Sequence, residues 1–87
     1  MPITTHDIRR SLMESDQEFR HLYEEYSRCE SQLQELVRQS YWNVEDLEME
    51  VSLKKMKLHL KDMMELMVAS RRHHEHERAQ QQEQIHL

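Results

Sequence analysis

The sequence predicts an all-α protein: an antiparallel two-helix hairpin of the coiled-coil type that self-associates into a helical bundle. Three observations predict it. Ile8, Leu12, Ser15, Phe19, Leu22, Tyr26, Cys29, Leu33 and Leu36 follow one another at alternating steps of four and three, and so do Met49, Leu53, Met56, Leu60, Met63 and Met67. That spacing keeps side chains on one stripe of an α-helix, which then needs another helix lengthwise along it. Glycine is absent and proline occurs once, at Pro2, so the positive-φ turns of β-hairpins have no ready residue. Charged residues make up 33% of the chain and aromatic residues 6%, which is the composition of long, exposed helices.

The first helix is expected over residues 5–39. Thr4, Thr5 and Asp7 can each cap its start, and Ser15-Asp16 ahead of Glu18 is a second cap-like pair where its regular part could begin instead. Asp16, Arg20, Glu24 and Arg28 alternate in sign at steps of four, and neighbouring pairs at that spacing support a helix by ~0.2–0.5 kcal/mol each. An unbroken helix of this length would span roughly 50 Å.

A turn is expected over residues 40–43. No Gly or Pro forbids one continuous helix, but the phase of the ladder changes. Continued beyond Leu36, the first ladder falls on Ser40, Asn43, Leu47, Glu50 and Lys54, whereas the second ladder occupies other positions. The second helix, residues 44–69, then starts from an Asn43 N-cap with Asp46 facing the helix N-terminus. Trp42 and Leu47 have the spacing of a hydrophobic staple. Glu45, Asp46, Glu48 and Glu50 come first, then Lys54, Lys55, Lys57 and Lys61, then Arg71 and Arg72, an order that complements the helix dipole. Residues 1–69 form the hairpin domain. Residues 70–87, SRRHHEHERAQQQEQIHL, are a polar His/Gln-rich extension, helical or frayed.

A chain of 87 residues buries a small core and often depends on a partner subunit. The second helix carries more apolar residues than one partner can cover: Val44, Leu47, Val51 and Leu58 form a second stripe beside the 49–67 ladder. We expect these four to be an interface, for a homo-oligomer first and an unidentified protein partner besides. The competing expectation is that Tyr23, Val37, Tyr41 and Trp42 wrap over this stripe within the chain. The methionines of the second ladder are read as core filler, and Cys29 as a small buried hydrophobe. His21 and His59 flank the ladders.

Two other binding chemistries have candidates. His73, His74, His76 and Glu77 share helical spacing and could hold Zn²⁺ or Ni²⁺, but they have no cysteine partner and no buried shell to orient them. Lys54, Lys55, Lys57 and Lys61 could contact RNA phosphates, though a net charge of −5 argues against a surface devoted to nucleic acid. No phosphate loop can be built without glycine, no nucleophile–base arrangement is apparent, and no cofactor is implied. The expectation is a non-catalytic protein. A single cysteine, the lack of a signal-like N-terminus and the lack of a long apolar run lead to the expectation of a cytoplasmic protein without membrane contact.

Phe19-Arg20-His21-Leu22-Tyr23-Glu24-Glu25-Tyr26, followed by Leu53-Lys54-Lys55-Met56-Lys57-Leu58-His59-Leu60-Lys61-Asp62, resembles the YdcH-type family of small, uncharacterised bacterial helical-hairpin proteins. The resemblance covers roughly residues 12–68. It implies a short helical hairpin without assigned catalysis, in which Lys54, Lys55, Lys57, Lys61 and Asp62 are pattern positions. The chain departs from the family at Ser40-Tyr41-Trp42-Asn43, where relatives often carry a glycine, and in its His/Gln-rich tail.

Overall fold

A computed structural model describes the backbone of residues 4–39 and 42–85, with side chains as far as residue 77. Every described element is helical: α1 (Thr5–Ser15), α2 (Gln17–Arg38) and α3 (Val44–Ile85). The molecule measures 68 × 21 × 18 Å. Its length is that of α3, whose 42 residues extend about 63 Å at ~1.5 Å per residue.

The single helix expected over 5–39 is instead two helices, α1 and α2. The break falls at the one polar rung of the first ladder. Ser15 is exposed, and its hydroxyl donates back to the Ser11 carbonyl at 2.7 Å. Asp16 is extended (φ −115°, ψ 113°). Its N–H closes α1 on the Leu12 carbonyl at 2.8 Å, and its carboxylate accepts the Phe19 N–H at 3.0 Å to open α2. Ser and Asp offer the backbone local hydrogen bonds that compete with helix continuation. The cap-like pair therefore ends one helix and starts the next.

The break redirects α1. Phe19 shares an apolar cluster with Val68, and Glu30 pairs with Lys57 at 3.2 Å, so α2 runs antiparallel to α3. Arg9 pairs with Glu65. Glu30 and Arg9 are 21 residues apart, yet their partners Lys57 and Glu65 are only eight apart. A straight rod would carry Arg9 about 20 Å further along α3. Instead α1 turns at Asp16 and lies across residues 64–72, where Arg72 donates to the Thr5 hydroxyl at 2.6 Å.

Two apolar clusters hold the helices together. Leu22, Cys29 and Leu36 of α2 meet Leu53 and Leu60 of α3, with Tyr26, Leu33, Trp42 and Met63 half-buried around them. Ile8 and Leu12 of α1 meet Phe19 and Val68, with Met13 beside them. Met64 and Met67 touch both clusters. Burying a side chain of this kind stabilises by ~1.5–3 kcal/mol relative to exposure. Apart from Ser15, every rung of the first ladder is buried or half-buried.

The second ladder is displaced. Met49 and Met56 are exposed, while Val68 is buried and Met64 half-buried. The seam on α3 runs through Leu53, Lys57, Leu60, Met64 and Val68. Steps of four and three drift slowly around a helix of 3.6 residues per turn, so the contact line leaves the methionine row at its start and gains Val68 at its end.

The starts of α1 and α3 are each fixed by a reciprocal cap. The Asp7 N–H donates to Thr4 Oγ1 at 3.1 Å and the Thr4 N–H to the Asp7 carboxylate at 3.3 Å. The Asp46 N–H donates to Asn43 Oδ1 at 2.8 Å and the Asn43 N–H to the Asp46 carboxylate at 3.1 Å. Trp42 Nε1 donates to the Gln39 carbonyl at 3.1 Å while its ring packs on the larger cluster. Ser40 and Tyr41, in the expected turn, lie outside the described residues. No described residue has a positive φ, the conformation that favours glycine. Beyond residue 69 α3 continues without interruption to Ile85. Helix-favouring Glu, Gln, Arg and Ala populate this part, and Arg71–Glu75 (3.6 Å) and His73–Glu77 (3.0 Å) bridge successive turns.

Candidate functional site

The four residues expected to form an interface are all on the outside. Val44 is 70% exposed, Leu47 51%, Val51 52% and Leu58 60%. At 100° per residue they occupy a narrow stripe on α3, turned well away from the side where Leu53, Leu60 and Val68 are buried. The residues expected to wrap over the stripe do not bury it. Val37 and Tyr23 are themselves exposed, and Trp42 packs on the α2–α3 cluster. Tyr41 lies outside the described residues. Scattered apolar residues on a surface are ordinary, but a row at heptad spacing on one long helix is what a second helix recognises.

The lysines are divided between two tasks. Lys54 Nζ pairs with Glu50 at 2.8 Å and Lys57 Nζ with Glu30 at 3.2 Å. Lys57 also stands 5.4 Å from the Tyr26 ring centroid, within the range of cation–π attraction. The hydrogen bond that Lys57 donates to Glu30 leads the causes that hold Lys57 above the usual lysine range, with Tyr26 adding to it. Lys55 and Lys61 are exposed and make no ion pair among the described residues. Only part of the run is thus available to an anionic partner.

The histidines do not converge. His73 pairs with Glu77 at 3.0 Å on an exposed surface. His73 and His76 border a shallow groove with Thr5, Glu65 and Arg72, and His73 and His74 border another with Leu12, Asp16 and Arg71. Among the described residues no group of three or more His, Cys, Asp or Glu side chains is placed to hold a metal ion. Cys29 is 4% exposed within the α2–α3 cluster, where it packs as a small buried hydrophobe.

One feature escapes sequence reasoning. The turn of α1 creates a hollow of about 190 Å³ where the three helices meet, floored by Met13, Phe19 and Met64 and rimmed by Tyr23, Lys61 and the Arg9–Glu65 pair. Ligand pockets run to ~300–1,000 Å³, so this hollow is the size of one or two side chains. No periodicity in the sequence could signal it, because residues 9 and 65 meet only through the bend at Asp16. Among the described residues no helix is long and apolar enough to cross a membrane.

No curated protein and no solved structure matches the chain. A family model does match, over residues 19–68, the span that holds nearly all of α2, its partner stretch of α3 and both motif segments. This covers more than half of the 87 residues, and the chain belongs to that family, described as proteins of unknown function (DUF465).

Proposed function

We propose that the protein is a non-catalytic structural and interaction module that acts through protein–protein contacts. Its first partner is a second copy of itself, engaged through Val44, Leu47, Val51 and Leu58. One observation carries this reading: α3 is apolar on two sides, α1 and α2 cover one, and the other stands open to water. Leaving such a stripe wet forfeits ~25 cal/mol per Å² of apolar area, and a two- or three-helix protein of this length gains most by covering it with another copy. The YdcH-type resemblance is the finer form of the family assignment. A cytoplasmic, bacterial setting belongs to the same reading, supported by that resemblance and the single cysteine.

Size-exclusion chromatography with light scattering tests the proposal on the full chain. The wild type is expected to elute as an oligomer at micromolar concentration. Leu58→Glu is expected to elute as a monomer of unchanged helicity. A wild-type monomer that Leu58→Glu leaves unaltered overturns the reading.

A further inference from the structure

The borders of the outward stripe say how a second copy sits on it. Val44, Val51 and Leu58 recur at steps of seven, and Leu47, Lys54 and Lys61 form the companion row three residues on. On the border turned further from α2 stand Glu48 and Lys55, seven apart. Both are exposed, and neither has an ion-pair partner among the described residues. Across the stripe the charges are already used within the chain, Glu50 by Lys54 and Lys57 by Glu30. Glu48 and Lys55 are thus opposite, unspent charges on one edge of an unpartnered apolar row.

We propose, resting on the self-association reading, that two copies pair α3 against α3 in antiparallel orientation, with the twofold axis between Val51 and Lys54. In that register Leu47 of each copy meets Leu58 of the other. Lys54 lays its aliphatic stem over the other copy's Val51, and Lys61 does the same over Val44, each keeping its ammonium in water. Along the edge Glu48 faces Lys55 of the other copy, twice by symmetry. The contact runs from residue 44 to residue 61, roughly 27 Å of helix.

The alternatives place like charges together. A parallel, in-register pair sets Lys54 against Lys54 and Lys61 against Lys61 within the seam, where their repulsion is least screened. An antiparallel pair shifted by one heptad brings Glu48 onto Glu48, or in the other direction Lys55 onto Lys55. Only the proposed register satisfies both the leucines and the edge charges.

Charge exchange on the full-length protein tests the orientation, with circular dichroism to establish that helicity is kept. Glu48→Lys and Lys55→Glu each convert two attractive pairs into two repulsive ones, and each is expected to raise the dimer Kd about tenfold in sedimentation analysis. The double variant is expected to return to the wild-type Kd. Mixing the two single variants, one carrying a mass tag, is expected to yield heterodimers well above random pairing in native mass spectrometry. Glu48→Lys dimerising as tightly as the wild type, or random pairing in the mixture, overturns the antiparallel register while leaving self-association standing. A monomeric wild type removes both.

Discussion

Asp16 separates two influences that are usually entangled, the local preference for a helix break and the tertiary docking of α1. In Asp16→Ala the carboxylate cap on the Phe19 N–H is lost, at a cost of about 1 kcal/mol. Alanine also favours an unbroken helix, by up to ~0.7 kcal/mol over aspartate. Against this stands the burial of Ile8 and Leu12, each 3% exposed, at ~1.5–3 kcal/mol apiece and about 3–6 kcal/mol together. Packing exceeds propensity, so α1 stays docked in Asp16→Ala, and the variant loses about 1 kcal/mol in denaturant unfolding. Leu12→Glu acts on the larger quantity. It removes a buried side chain and sets a carboxylate in its place, and α1 swings off while the α2–α3 cluster persists. Spin labels at the exposed positions 10 and 62, in a Cys29→Ala background, read the difference. Wild type and Asp16→Ala give one short distance, and Leu12→Glu gives a broad distribution reaching about 20 Å further. A long distance in Asp16→Ala with Leu12 intact, or a retained short one in Leu12→Glu, refutes the claim that burial rather than the cap sets the bend.

Three further outcomes follow from the same contacts. Leu60→Ala, at a site 4% exposed, lowers stability by about 2–4 kcal/mol, whereas Met56→Ala, at a site 54% exposed, stays within about 0.5 kcal/mol; equal losses in urea would show that the seam passes through the methionine row. The Thr4 hydrogen bonds hold the Asp7 carboxyl below the usual aspartate value, so its contribution to the α1 terminus is present above that ordinary value and is lost as pH falls through the lowered one. The Asp7 and Ile8 amides should lose hydrogen-exchange protection over that acidic interval, and Thr4→Val should move the Asp7 midpoint upward; an unmoved midpoint removes the cap as the cause. Because no group of three or more His, Cys, Asp or Glu among the described residues is placed to hold a metal ion, calorimetric titration with Zn²⁺ should give the same small heats for the wild type and for the triple substitution of His73, His74 and His76 by Gln; a stoichiometric heat confined to the wild type would instead establish a metal site there.

The rungs from Phe19 to Leu36 were legible because one α-helical stripe has one partner along its whole length. Leu53 and Leu60 were legible for the same reason. Met49 and Met56 were misread because a four–three rhythm fits more than one line on a helix. Which line is buried depends on where α2 crosses. Ser15 was counted as a rung by spacing alone, yet it is exposed with its hydroxyl bonded back to the Ser11 carbonyl, and the neighbouring Asp16 carboxylate takes the Phe19 N–H as a cap rather than continuing the helix.

The interface candidates show the same division. That α3 is apolar on two sides is written in the order of its residues, since side-chain direction repeats every 3.6 positions wherever the helix goes. That Val44, Leu47, Val51 and Leu58 form the uncovered side was settled by α2 taking the opposite one. The hollow beside Arg9 and Glu65 has no counterpart in the sequence at all.

By itself the order of residues determined the helical class, the Asn43 cap, a set of cap candidates that includes Thr4 and Asp16, and the greasy rows, because each depends on neighbours within a few positions. Only the tertiary structure decided that α1 crosses residues 64–72, that Val68 replaces Met49 and Met56 in the core, and that Lys57 is held by Glu30. Those outcomes depend on the angle between helices. That angle is fixed by how much apolar surface each arrangement hides, a quantity summed over residues far apart in the chain.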